Sequence, residues 1–486
     1  MTSPEEPQPL TLVEAIIPVA SLILLVAVSY YLFGDAGAAG PNQVALVAAT
    51  MIAAFIGWRR GHKLDALREA AVASVSSGLG AIFILLAVGS LIGTWALSGT
   101  LLAMVYYGLQ ILSPNFFYLS TCAICAVVAA SIGSSWTVVG TIGIGLMGIG
   151  LNMELDPAIT AAAVISGAYF GDTTSPLSDS ANLASAAGGV ELYQHVRETA
   201  LTSGTALAIA MGVFWLLGRP GTFDASEKID AIRSAVTITP WLFVPLVVVV
   251  ALSAFKVPAF TSIFLGALVG GVLAVVVSPG RVIAFADAGD GAARGLLLLK
   301  GVWLALARGY TSTTGHPVID QLVSRGGMAS MLNTIWLVIT ALAFGGVVEK
   351  AGVLDRLISP IIERAKSAGA LVAALVATVF AANVVTADQY IAIVLPGRMF
   401  KSAFQKRGLA PVVLSRTVGA SATPTSALIP WNSCGAYMAA TLGVATFSYA
   451  PYAIFNLLSP LLTIAAAYTG LRMLREPNAR EQAPVR

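Results

Sequence analysis

Long apolar runs, nearly free of charge, recur along this chain and restrict its fold more than any other feature. They occupy residues 11–33, 41–58, 79–97, 199–217, 238–255, 259–277, 369–386 and 451–470. A helix needs about 20 apolar residues to cross the hydrocarbon of a bilayer. Most of the runs are apolar all round, without the polar face of a soluble-domain helix. They do not alternate, which excludes a barrel of short strands. Hydrophobic residues make up 57% of the 486 and charged residues only 10%, where soluble domains carry about 25% charged. The sequence therefore reads as an all-α polytopic membrane protein with about 10–14 membrane segments. Shorter pieces near 116–132, 137–152, 157–171, 334–348, 412–429 and 433–447 are broken by Gly, Pro and hydroxyl residues. They read as broken helices or re-entrant hairpins.

Charge sets the orientation. The loop after the second run carries Arg59, Arg60, Lys63 and Arg68, the loop after the first carries no Lys or Arg, and the C-terminal stretch carries Arg472, Arg475, Arg480 and Arg486. The positive-inside rule then puts both termini in the cytoplasm of a multi-pass protein of the cell (inner) membrane. The N-terminal MTSPEEPQPLTLVE is acidic, so residues 11–33 read as a first spanning helix and not as a cleaved signal peptide. The segment 280–333, with its TSTTGHP stretch, reads as a surface loop with interfacial helices. A net charge of +3 without a basic tract gives no sign of a nucleic-acid surface. Cys122 and Cys125 lie in an apolar run and read as small packed side chains, and the three histidines are scattered. No cofactor is expected.

An internal repeat follows. AIFILLAVGSLIGTWALSGTL (81–101) resembles TIWLVITALAFGGVVEKAGVL (334–354), IGSSWTVVGTIGIGLM (132–147) faces VTADQYIAIVLPGRMF (385–400), and TSPLSDSANLA (174–184) faces TSALIPWNSCGA (425–436). The offset stays at about 250 residues. Secondary transporters are built from such repeats and place their sites in broken helices at the repeat interface. The chain divides on this reading into N-terminal helices and a basic loop (1–78), a first transport repeat (79–190), connecting scaffold helices with the surface loop (191–332), a second transport repeat (333–445) and a C-terminal helix with its tail (446–486).

Within the first repeat, GDTTSPLSDSANL (171–183) places Asp172 and Asp179 among long uncharged stretches. An insertion cost of at least about 2.5–3.5 kcal/mol keeps idle carboxylates out of hydrocarbon, so these face a cavity, pair, or work. Pro176 interrupts the helix, and the unpaired backbone this leaves is tolerated only around a cavity. Ser175, Ser178 and Asn182 add neutral oxygens, and the second repeat supplies Asp388, Thr425, Ser426 and Asn432. Oxygen-rich clusters suit hard cations, and Asp172 and Asp179 are the candidate Na+ carboxylates. Trp136 and Trp431 read as packing aromatics, and the glycines of TVVGTIGIGLMGIG as a close helix contact. Glu191, Arg197 and Glu198 read as an amphipathic connection.

GAYFGDTTSPLSDSANLA, GSSWTVVGTIGIGLMGIG, DQYIAIVLPGRMFK and TSALIPWNSCGAYMA resemble the NhaC family of Na+/H+ antiporters over about residues 70–450. The resemblance implies two inverted repeats with re-entrant hairpins and an elevator-type motion. It also implies exchange of Na+ or Li+ for H+, in which both cations compete for the same carboxylates. Relatives that exchange organic acids such as malate and lactate supply the alternative, a Na+- or H+-coupled organic-anion transporter. The lipid bilayer is one partner, and a homodimer follows by analogy with elevator transporters. The family pattern carries an acidic pair before TSALIPWN, where this chain has Gly419 and Ala420, and often Lys-Met where it has Thr173 and Thr174. An intramembrane aspartyl protease, the enzyme reading, needs a Tyr-Asp pair that no run contains.

Overall fold

Glycine, proline and capping residues divide the long apolar sequence into discrete helices. The computed structural model describes residues 7–218, 225–286, 293–312, 320 and 323–475. Arg480, Arg486, His316 and most of the TSTTGHP stretch lie outside the described residues, as do residues 1–6 of the acidic N-terminus. Among the described residues the secondary structure is helical apart from two isolated bridges. Nine of these helices are long and apolar enough to cross a membrane, and the pair Thr446–Tyr452 and Ile454–Thr469, bent by 55°, makes a tenth. With that pair the count reaches the lower end of the expected number; Pro157–Thr174 has 18 residues but is not apolar enough, and Asp179–Gly188, Pro411–Ser426 and Ser433–Leu442 are shorter.

Three pieces expected to be short are full-length. Pro114–Ile132 and Met328–Lys350 gain an opening 3₁₀ turn, and Ser135–Asn152 stays helical through its glycines by way of a π turn at Val139–Gly143. The run at 238–255 yields only the shorter Pro240–Ala254, while Leu192–Leu216 extends to 25 residues and absorbs the expected connection. Within the expected surface segment, Arg294–Arg308 is a helix with Leu296, Leu299 and Trp303 exposed.

Six helices recur in the same order in the two halves. Leu79–Ser98, Thr100–Ile111, Phe117–Ile132, Ser135–Asn152, Pro157–Thr174 and Asp179–Gly188 correspond to Leu332–Lys350, Val353–Arg364, Ala368–Thr386, Gln389–Lys406, Pro411–Ser426 and Ser433–Leu442. Their punctuation corresponds too. Gly99 and Gly352 turn the chain in the left-handed region, Pro157 and Pro411 open the fifth helices, and Gly189 and Gly443 end the sixth. Between the third and fourth helices stand Gly133 (φ 79°) and Ala387 (φ 57°). A left-handed alanine is strained, and the Ser433 amide holds it by donating to the Ala387 carbonyl at 2.9 Å.

In each half a short non-helical break separates the fifth helix from the sixth, at 175–178 and at 427–432. Pro157–Thr174 packs tightly on Phe117–Ile132, because Gly167 and Gly171 leave no room for a Cβ against the facing backbone of Cys122 and Ala130. Cys122 and Cys125 are buried free thiols in this contact. Leu192–Leu216 packs on Pro157–Thr174, Pro411–Ser426 and Ile454–Thr469, and so joins the fifth helices of the two halves.

Candidate functional site

Breaks between helices in the two halves place the three sequence-predicted aspartates on one cavity. Pro157–Thr174 ends at Thr174, and the chain is extended at Ser175 before Ser178 caps Asp179–Gly188 by accepting from the Ser180 and Ala181 amides. Asp172 sits in the last turn of the first arm and is buried. Its Oδ1 accepts from Ser178 Oγ at 2.5 Å and Ser180 Oγ at 2.9 Å. Its Oδ2 accepts from Ser135 Oγ at 2.5 Å and from the Ser135 amide at 3.3 Å. An ionised carboxylate is an acceptor with about four lone-pair sites, and these four donors fill them.

Asp388 caps Gln389–Lys406, its Oδ1 accepting from the Ile391 amide at 2.9 Å. It is buried, and among the described residues no side chain donates to its carboxylate, while Thr386 Oγ1 reaches its backbone carbonyl at 3.3 Å. Asp179 is exposed at the start of its helix, and no hydrogen bond or ion pair engages its side chain among the described residues. Asp172, Asp179 and Asp388 all line a cavity of about 220 Å³, together with Ser134, Ser180, Gln389, Tyr390, Ser433 and Cys434. Trp136 closes one side. Among the described residues no Lys, Arg or His reaches this wall. Both halves contribute to it, with Ser134 and Asp388 at corresponding breaks between third and fourth helices.

Of the predicted neutral ligands only Ser178 touches a carboxylate. Ser175 Oγ donates to the Ala130 carbonyl of Phe117–Ile132 at 2.7 Å and Asn182 Nδ2 to the Ser178 carbonyl at 2.8 Å, so both brace the break before Asp179–Gly188. Asn432 donates to Asn383, whose own amide reaches Thr425 Oγ1 at 2.9 Å. Ser426 donates to Gln389 Oε1 at 2.8 Å, and Cys434 Sγ to the same oxygen at 3.2 Å. Thr425, Ser426 and Asn432 therefore tie the break between Pro411–Ser426 and Ser433–Leu442 to Asn383 and Gln389. Sequence reasoning passed over Ser135 and Gln389 as functional groups. The signal for them lay in their matched positions, GSSW against TADQY.

Gly419 has a physical explanation. His195 is fully buried, and its ring lies against Gly419, so that a Cβ there would stand 2.8 Å from Cε1. Ser415 Oγ stands 2.6 Å from His195 Nδ1 and 3.0 Å from the Ala184 carbonyl, and so holds the ring in place. The ring takes the space an acidic side chain would need. Glu198 departs from its expected place in an amphipathic connection. It is buried on the inner face of Leu192–Leu216, with Arg416 at 4.0 Å and Arg472 at 3.5 Å.

Membrane-length helices around a buried carboxylate cavity define a multi-pass helical membrane protein with a polar site inside it. Residues 9–217 and 167–471 match the model of the Na+/H+ antiporter family. The chain is 37% identical over 440 residues to the Na+/H+ antiporter NhaC of Alkalihalophilus pseudofirmus, covering 90% of this chain and 92% of that one. It is 35% identical to the malate-2H+/Na+-lactate antiporter of Bacillus subtilis, over 95% of each. To the arginine/ornithine antiporter ArcD of Halobacterium salinarum it is 34% identical, over 96% of this chain and 93% of that one. The chain belongs to the Na+/H+ antiporter family.

Proposed function

We propose that this chain exchanges Na+ or Li+ for H+ across the cell membrane by alternating access, with Asp172, Asp179 and Asp388 as the carboxylates for which the cations compete. The observation that carries this reading is the convergence of three carboxylates, from both halves, on one cavity whose described wall holds no cationic side chain. A carboxylate taken out of water must be neutralised. A proton can do this, and so can a hard cation held by carboxylate and hydroxyl oxygens. Loading one excludes the other, and alternating access turns that exclusion into exchange.

Asp172 has its oxygens engaged by serines, which fix its place among the competing carboxylates. Asp388 and Asp179 bring further carboxylate oxygens to the same cavity. The matched order of six helices in each half supports two repeats, 79–190 and 333–445, which we read as inverted. The repeats then move as an elevator against scaffold segments 1–78, 191–332 and 446–486. The basic loop at Arg59–Arg68 supports cytoplasmic termini. No cofactor enters the mechanism, and no step makes or breaks a covalent bond.

The relative named as a malate/lactate antiporter favours a second reading, exchange of a small organic anion. An anion in this cavity would face three carboxylates without a described cationic partner. The two readings separate by counterflow in proteoliposomes loaded with either Na+ or lactate. Uptake of labelled Na+ driven by internal Na+, without uptake of labelled lactate driven by internal lactate, supports cation exchange. The reverse pattern overturns it.

A further inference from the structure

A charge imbalance lies away from the cavity, where three helices meet. Glu198 and Arg416 stand within two turns of the starts of Leu192–Leu216 and Pro411–Ser426, and Arg472 stands three residues past the end of Ile454–Thr469. The cluster therefore marks one end of the bundle. Among the described residues Arg416 and Arg472 share the single carboxylate of Glu198, which leaves one positive charge there without an ion-pair partner. His195, one turn before Glu198, is engaged with Ser415. The Arg416 side chain is 2% exposed and that of Arg472 39%, so the surplus charge faces outward at Arg472.

The backbone at Arg472 is left-handed, with φ 56°. A non-glycine residue persists there only where its surroundings hold it. Here the Glu198 contact holds the side chain, and the following strand segment is held by the Ala410 amide donating to the Leu474 carbonyl at 2.9 Å. Beside Arg472 a groove of about 400 Å³ opens between Leu192–Leu216 and Ile454–Thr469. Leu201, Leu462, Ala465, Ala466 and Leu471 form its apolar wall. The Thr205 and Thr469 hydroxyls donate to carbonyls of their own helices, Leu201 and Ala465. Both helices belong to membrane-length spans, so the groove faces hydrocarbon along its length and ends at a cation where the last helix stops.

We propose that this groove binds an anionic phospholipid, with the phosphate at Arg472 and one acyl chain along the Leu201–Leu462 wall. Charge complementarity selects the headgroup. A net-negative phosphate balances the surplus guanidinium, whereas a zwitterionic headgroup brings its own cation to an already positive cluster. Two links lead from the lipid site toward the cavity. Glu198 joins Arg472 to Arg416, and the Ala410 amide donates to the Leu474 carbonyl, so one link ends on the helix Pro411–Ser426 and the other at its N-cap.

Native mass spectrometry of the purified full chain, with phosphatidylglycerol or phosphatidylcholine added, tests this directly. Wild type should retain phosphatidylglycerol about fivefold more strongly than phosphatidylcholine, the ratio expected of one juxtamembrane arginine. Arg472→Gln should remove the preference and Arg472→Lys should keep most of it. Leu201→Trp, at an exposed groove position, should lower retention of both lipids. Equal retention of the two lipids by wild type overturns the proposal, as does an unchanged preference in Arg472→Gln. If Arg472→Gln does not survive purification, Leu201→Trp decides alone, and wild-type retention in that variant overturns the site.

Discussion

Tyr437 lies flat on Trp136, with ring centroids 4.0 Å apart and planes 14° from parallel, and its hydroxyl donates to the Trp136 carbonyl at 2.7 Å. The two residues belong to different halves: Trp136 opens the fourth helix of the first, and Tyr437 lies in the sixth helix of the second. This contact closes one side of the cavity. Tyr437→Phe keeps the stacked ring and removes one hydrogen bond, so it should lower thermal stability in detergent by about 1 kcal/mol. Tyr437→Ala also removes the stacking, and a still larger loss should follow. An unchanged melting temperature for both would show that the halves do not depend on this contact.

Ser135 holds Asp172 Oδ2 by both its hydroxyl and its amide. Ser135→Ala keeps the amide and deletes the hydroxyl. Hydrogen bonds to charged groups are worth about 1.5–3 kcal/mol, so the apparent Na+ affinity should fall by roughly tenfold or more. Na+ titrations of exchange rate in proteoliposomes measure this. Ser175→Ala, whose hydroxyl points to the Ala130 carbonyl, should leave Na+ affinity within about twofold.

Asp388 has two separable duties, as a helix cap and as a cavity carboxylate. Asparagine caps a helix about as well as aspartate. Asp388→Asn should therefore change stability by less than about 0.5 kcal/mol while removing the charge. Loss of exchange with an unchanged melting curve is the expected pair of results. Loss of both together would mean that the residue is structural.

Gly419 and His195 are expected to be coupled. Gly419→Ala pushes a Cβ into the His195 ring and should cost about 1–3 kcal/mol, the usual range for overpacking. In a His195→Ala background the same substitution should cost at least about 0.5 kcal/mol less. Thermal unfolding of the four members of the cycle measures the difference. Additive costs would show that the ring does not occupy the Gly419 position.

Much of this architecture is legible in the sequence because hydrocarbon leaves few choices. Asp172, Asp179 and Asp388 stood out as carboxylates in apolar surroundings, and the structure brings all three to the cavity. The neutral ligands were harder to read. Ser, Thr and Asn in a membrane helix serve equally well to brace backbone carbonyls, and only the geometry of the break separates Ser178, which reaches Asp172, from Ser175, which does not. Glu198 was misread for a related reason. Beside Glu191 and Arg197 it resembles a solvated stretch, while its partner Arg416 lies 218 residues away in the chain, the difference between 416 and 198. Gly419 looked like a missing acid until His195 was seen lying against it.

The most direct measurement is Na+-driven proton flux in proteoliposomes carrying an internal pH dye, comparing wild type with Asp172→Asn, Asp179→Asn and Asp388→Asn. Wild type should respond to NaCl and LiCl within the mixing time of the experiment, and Asp172→Asn and Asp388→Asn should abolish the response in folded protein. Asp179→Asn, at the exposed edge of the cavity, should weaken Na+ binding and leave residual flux. A folded wild-type protein that moves no protons in response to any alkali cation would contradict cation exchange at this site.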